Sequence, residues 1–330
     1  SSRDASSSLS RLWVETSNPM PALEILIAEM LAIHFCSDRA ESIIVLQELL
    51  DELGLGDNTL VVWSTDHGDA LQKKELKDSL EEDREKLYDL QRLFYATDRH
   101  ALLLIFQAMD AAGKDSTIRA VLRGVNPAGC QVASFKQPSK EELDHDFLWR
   151  SVKRLPERGR IGVFNRSYYE EVLVVRVHPE YLGGQRLDLP DDMEAFWKAR
   201  YRAIAEHERH LAENGTVILK FWLNVSKEEQ KRRFLSRLNE PEKHWKFSSG
   251  DLEERKLWDA YMEAYQQALA TTSKPLAPWY AIPADNKPFM RWQVARIVRK
   301  TLEALDPRYP SVAPDDLAHF QDMRDQLNRE

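Results

Sequence analysis

The chain of 330 residues carries 46 Lys+Arg against 54 Asp+Glu, a formal charge of −8, and 43% of its residues are hydrophobic. That apolar fraction supports a sizeable core, in one large α/β domain or two smaller ones, and excludes disordered, collagenous and disulfide-scaffold classes. The two cysteines, Cys36 and Cys130, are far apart and have no CxxC or Cys/His spacing, so neither a disulfide framework nor a structural zinc site is expected and a reducing, cytoplasmic compartment is the default.

Residues 1–10 lack the basic and apolar regions of a secretory signal, and the longest apolar stretch, 22–35, is interrupted by Glu24, Glu29 and His34, so no membrane association is expected. The acidic bias is local. Residues 1–70 hold three arginines, no lysine and twelve acidic residues, and the shift to a near-neutral remainder predicts a boundary near Leu71.

In chain order, the periodicity predicts a helix over 39–53 ending at Gly54, a buried strand over 59–64, and a long amphipathic helix over 72–100 with Leu76, Leu80, Leu87, Leu90, Leu93 and Phe94 on one side. Continuous apolar runs predict buried strands at 101–106, 161–164 and 217–223, with shorter ones at 131–135 and 279–282. Helical patterns over 140–155, 191–214 and 289–305 separate or follow them. Strands alternating with helices predict a parallel α/β sheet with helices on both faces.

The first of these strands runs into Gln107-Ala108-Met109-Asp110-Ala111-Ala112-Gly113-Lys114-Asp115-Ser116-Thr117 and then a helical start. In the P-loop pattern GxxxxGK[ST], backbone N–H groups and a helix N-terminus hold phosphate oxygens while the lysine reaches the terminal phosphates. Here Ala108 replaces the first glycine and Asp115 stands between Lys114 and Ser116. The loop makes Lys114 a candidate catalytic cation and Ala112, Gly113, Asp115 and Ser116 candidate phosphate or nucleotide contacts; the plain alternative is a strand-to-helix turn with a surface lysine. Asp110 would repel a phosphate unless a cation lay between them, so it is the candidate Mg²⁺ ligand, or else a turn aspartate.

The second strand ends in Asn165-Arg166-Ser167-Tyr168-Tyr169-Glu170-Glu171, with Asn165 where P-loop proteins place an acid near Mg²⁺. Arg166 is positioned to clamp phosphates, or to pair with Glu170 or Glu171. After the third strand, Ser226 and Glu229 predict a capping box, and the helix behind it carries Lys231, Arg232, Arg233 and Arg237, readable as a phosphate-closing lid or as a solvated face. Trp245, Phe247, Trp258, Tyr261 and Tyr265 offer rings for a base, but helical spacing of the last three favours packing. The His207-Glu208-Arg209-His210 string is one residue short of HExxH and is expected on an exposed helix face.

The motifs at 107–117, 162–180, 223–248 and 277–292, in this order, resemble the family-2 polyphosphate kinases over residues 72–310. The resemblance implies a P-loop kinase-like three-layer sandwich with a helical lid at about 226–270. It also implies Mg²⁺ as cofactor and reversible phosphoryl transfer between inorganic polyphosphate and AMP, ADP or ATP. Asp110, Lys114 and Arg166 take the catalytic roles, and Asn165, Tyr169, Glu170, Arg232, Arg233 and Arg237 are added as phosphate or nucleotide contacts. The Asn165 form of the second motif is similar to the class that phosphorylates both AMP and ADP. A homo-oligomer is expected, with no nucleic-acid or membrane partner. Residues 24–69 resemble a segment of the sulfatase family, with Asp66 and His67 matching its metal- and sulfate-binding turn but without the [CS]xPxR nucleophile motif, so a non-catalytic remnant or fusion segment is expected there. Two other readings stay open: an ATP-dependent small-molecule kinase of the same architecture, and a nucleotide- or polyphosphate-binding protein without turnover.

Overall fold

The computed structural model describes residues 73–330; the sulfatase-like resemblance and the acidic segment lie outside them. The five strands are β1 (Ala101–Ala108), β2 (Cys130–Ser134), β3 (Ile161–Asn165), β4 (Thr216–Asn224) and β5 (Trp279–Pro283). The α-helices longer than one turn among the described residues are α1 (Lys73–Thr97), α2 (Lys114–Val121), α3 (Met193–Glu213), α4 (Lys227–Asn239), α5 (Gly250–Lys256), α6 (Trp258–Thr272), α7 (Lys287–Ala304) and α8 (Pro314–Leu327).

The strands form one sheet in the order β2-β3-β1-β4-β5, and every pairing is parallel. Leu102 to Phe106 on β1 are at most 1% exposed on either side of the strand. A parallel strand can be apolar at consecutive positions only if both faces are covered, and the helices supply two packed groups: α1, α2 and α7 in one, α3 and α6 in the other. The expected α/β architecture with helices on both faces follows. Fully burying a leucine contributes about 1.5–3 kcal/mol. Leu104→Ala is accordingly expected to lower the unfolding free energy by about 2–5 kcal/mol through the cavity it leaves, read as a lower denaturant midpoint with an unchanged m-value.

Local chemistry sets the helix starts. Asp192 caps α3 by accepting the Ala195 N–H at 3.0 Å, and Asn286 caps α7 by accepting that of Phe289 at 3.2 Å, with Pro288 in the first turn. The single helix expected over 140–155 is instead two one-turn helices, Lys140–Leu143 and Trp149–Val152. Asp146 stands between them and its carboxylate accepts the Leu148 N–H at 2.9 Å, a local turn that competes with helix propagation. No helix among the described residues is long and apolar enough to cross a membrane.

The registers pair Phe106 with Asn165 and Ala108 with Leu223, so the carboxyl ends of β1, β3 and β4 meet at one edge of the sheet. Ligands of open α/β sheets bind outside that edge.

Candidate active site

β1 brings the chain to this edge at Ala108, and the next residues turn sharply. The Ala112 N–H donates to the Met109 carbonyl at 3.2 Å, and left-handed torsions fall at Ala111 (φ 62°) and Gly113 (φ 101°). Ala108 is still in the strand, which explains why an alanine serves where the P-loop pattern writes its first glycine. Gly113 does require glycine, because L side chains rarely adopt such a φ. α2 then begins directly at Lys114 with no side-chain cap, so its first N–H groups are left for an anion. The Ser116 and Thr117 hydroxyls donate to the Gly113 carbonyl at 2.8 and 3.0 Å and brace the turn.

Lys114 Nζ donates to Asn165 Oδ1, and Asn165 Nδ2 donates to Asp115 Oδ1 at 2.6 Å, so the end of β3 is tied to the loop. Burial, and next the neighbouring Arg166, push the Lys114 ammonium below the ordinary lysine value.

Arg166 itself has φ 64°, and its N–H donates to the Phe106 carbonyl at 3.1 Å. Its guanidinium lies 3.4 Å from Asp110 Oδ1 and 3.6 Å from Glu170 Oε2, with 42% of the side chain exposed. Both contacts exceed the short distances of a charge-assisted bidentate pair, so the cation is oriented but not saturated. Glu170 raises the Arg166 pKa most, while burial pushes the Glu170 carboxyl above its usual range. These side chains open onto a cleft of about 160 Å³ whose other wall includes Glu254, Tyr261 and Tyr265.

The expected arginine cluster on α4 divides. Arg233 is 6% exposed, and its guanidinium donates to the carbonyls of Ala111 (3.0 Å), Ala112 (2.7 Å), Ala284 (2.7 Å) and Asp285 (3.1 Å) and to Glu229 at 2.7 Å. It clamps the phosphate loop to the end of β5, with no donor spare for a ligand. Arg233→Lys leaves three donors on a single nitrogen in place of five in a fixed fork, so it cannot span these acceptors, and it is expected to cost about 1–3 kcal/mol of stability, measured by thermal unfolding. Arg232 is largely exposed and paired with Glu229; Arg237 lies 3.2 Å from Asp251 Oδ2.

Three expectations need correcting. Tyr169 is fully buried beneath the cleft, because the 3₁₀ turn Tyr168–Glu171 directs it into a core polar network, so it is not a ligand contact. Glu208, expected on an exposed face, is 1% exposed and bound to Lys220. Only half of the capping box at Ser226 forms: its hydroxyl accepts the Glu229 N–H at 3.1 Å, but the Ser226 N–H donates to Asp285 because Glu229 is occupied by Arg232 and Arg233.

Sequence reasoning missed Asp251 on α5 and a cationic patch on α2 and α7. Burial raises the Asp251 pKa, and the charge of Asp110 is the next largest cause. Lys287 and Arg291 are held below their ordinary values chiefly by burial; the nearest cations acting on Arg291 are Arg119 and Arg233. Asp251 and Arg119 lie outside the four motifs, and Lys287 and Arg291, inside the 277–292 motif, join Arg119 only through the packing of α7 on α2.

A family model described as Polyphosphate kinase 2 (PPK2) matches residues 70–310. The chain belongs to the polyphosphate kinase 2 family. It is 57% identical to an ADP-polyphosphate phosphotransferase of Rhodopseudomonas palustris over 74% of this chain and 84% of that one. It is 50% identical to an AMP/ADP-polyphosphate phosphotransferase of Meiothermus ruber over 68% and 80%. Among solved structures, polyphosphate kinase 2 from Arthrobacter aurescens TC1 superposes with a TM-score of 0.71 at 39% identity, covering 79% of this chain and 91% of that one. Membership makes this chain a phosphotransferase.

Proposed function

We propose that the protein moves the terminal phosphoryl group of inorganic polyphosphate reversibly to AMP and to ADP, giving ADP and ATP. The observation that carries this reading is the uncapped α2 N-terminus headed by Lys114, which is tied to Asn165 at the end of β3, next to a half-exposed Arg166 that lines the cleft with Asp110 and Glu170. Phosphoryl transfer needs alignment and charge neutralisation rather than a protein nucleophile, and these groups supply both. The dual acceptor range is supported by the second motif and by the name of the Meiothermus ruber relative. Incubation with polyphosphate and either AMP or ADP, resolved by product chromatography, should yield ADP and ATP respectively; turnover of ADP alone would contradict the acceptor assignment. Replacing polyphosphate by ATP separates the reading from an ATP-dependent small-molecule kinase.

The donor chain would approach past Arg119, Lys287 and Arg291, where cations crowd one another next to the loop. Mg²⁺ fits the oxygen donors of Asp110 and Asp251, whose like charges oppose each other. Among the described residues no cluster of three or more His, Cys, Asp or Glu could hold a metal, so the ion would keep water and substrate phosphates as its other ligands. Bound there, Mg²⁺ supplies neutralisation of phosphate charge.

We assign the activity to residues 71–330 and the protein to the cytoplasm, working as a homo-oligomer. Because Lys114 acts as a cation with a lowered pKa, kcat/KM should decline as pH rises through a value below 10.5, the ordinary lysine figure. Lys114→Arg should move that alkaline limb upward. A wild-type profile flat to pH 10.5 would contradict the assignment.

A further inference from the structure

Beneath the cleft, Lys220 on β4 and Glu208 on α3 form an ion pair of 2.5 Å, with the two side chains 0% and 2% exposed. The ammonium has three protons and three acceptors: Glu208 Oε2 at 2.5 Å, the Tyr169 hydroxyl at 3.0 Å and the Thr272 carbonyl at 2.7 Å. The other carboxylate oxygen, Glu208 Oε1, accepts from the hydroxyls of Tyr168 and Tyr169, each at 2.9 Å. Every charge in the network is satisfied inside the protein.

What the network joins is more telling than its composition. Tyr168 and Tyr169 belong to the turn that follows Arg166 and contains Glu170, while Thr272 ends α6, the helix that brings Tyr261 and Tyr265 to the opposite wall of the cleft. Arg166 is also held in a left-handed conformation that needs its surroundings to fix it. A buried ion pair is weak evidence for stability, since apolar groups of similar volume commonly replace one without loss; its attested value is in specifying a single arrangement.

We propose that Glu208 and Lys220, through Tyr169, are positioning residues for phosphoryl transfer that fix the turn directly following Arg166 against the α6 wall. They touch no substrate, and the assignment rests on the role given to Arg166 above. A displacement on the order of 1 Å in such a cation can cost about 10²-fold in rate.

The test is a double-mutant cycle in the full chain between the hub and Arg166, using E208Q/K220M, which leaves no charge in the pocket. Folding is checked by a cooperative thermal transition. In an otherwise wild-type chain, kcat should fall about tenfold or more while KM for polyphosphate changes less than about twofold; in an R166A background the same pair should cost less than about twofold, the non-additivity of groups acting through one another. Equal losses in both backgrounds, or full activity in the folded double variant, would overturn the proposal. If E208Q/K220M does not fold, Tyr169→Phe removes one hydroxyl from the network and should show the same dependence on Arg166; additive behaviour there overturns it equally. An R166A single variant with wild-type kcat would instead overturn the Arg166 assignment itself, and the hub proposal with it.

Discussion

Lys114→Ala is expected to lower kcat by about 10²–10³-fold, the loss seen when one preorganised donor to developing charge is removed. The residue heads α2 at the edge of the phosphate loop, and its ammonium is oriented by Asn165. Burial disfavours its charge, so a polyanion would relieve that cost on binding. Because the side chain lies outside the apolar core, the variant should unfold cooperatively near the wild-type temperature. A folded Lys114→Ala enzyme with more than about a tenth of wild-type kcat would remove Lys114 from the catalytic set, since that loss corresponds to only ~1.4 kcal/mol of transition-state stabilisation.

Arg166→Ala should lose about 10²–10³-fold in kcat, toward the lower end of what phosphate-clamping arginines contribute in phosphoryl transfer. Arg166→Lys should recover little of it. The guanidinium spans Asp110 on the loop and Glu170 on the following turn, 3.4 and 3.6 Å away, and a single ammonium cannot occupy both ends while meeting a phosphate bidentately. Near-complete rescue by lysine would mean that only net charge matters at this position.

Much of the fold was legible because its signals are local or periodic. The run Leu102 to Phe106 is apolar at every position, as only a strand covered on both faces can be, and Gly113-Lys114 after it marked the phosphate turn. Other features depend on which way a turn sends its side chains. Tyr169 sits four residues from Asn165 and one from Glu170, yet the 3₁₀ turn buries it while Glu170 lines the cleft. Arg233 looks like its neighbour Arg232 in sequence, but the helix carries one inward onto four carbonyls and the other into solvent. Glu208 was hidden for the opposite reason: its string suggested a charged surface, and its partner Lys220 lies in a strand, where burial of an ammonium is invisible without the sheet. Asp251 lies far from Asp110 in sequence, and only the fold brings it near enough to feel that charge.

The most direct test of the proposed activity uses radiolabelled polyphosphate with unlabelled AMP or ADP and Mg²⁺. Transfer of the terminal phosphoryl group predicts label in ADP from the first acceptor and in ATP from the second, with both signals lost in Lys114→Ala. Labelled orthophosphate with no labelled nucleotide, or nucleotide product formed only when ATP replaces polyphosphate as donor, would contradict it.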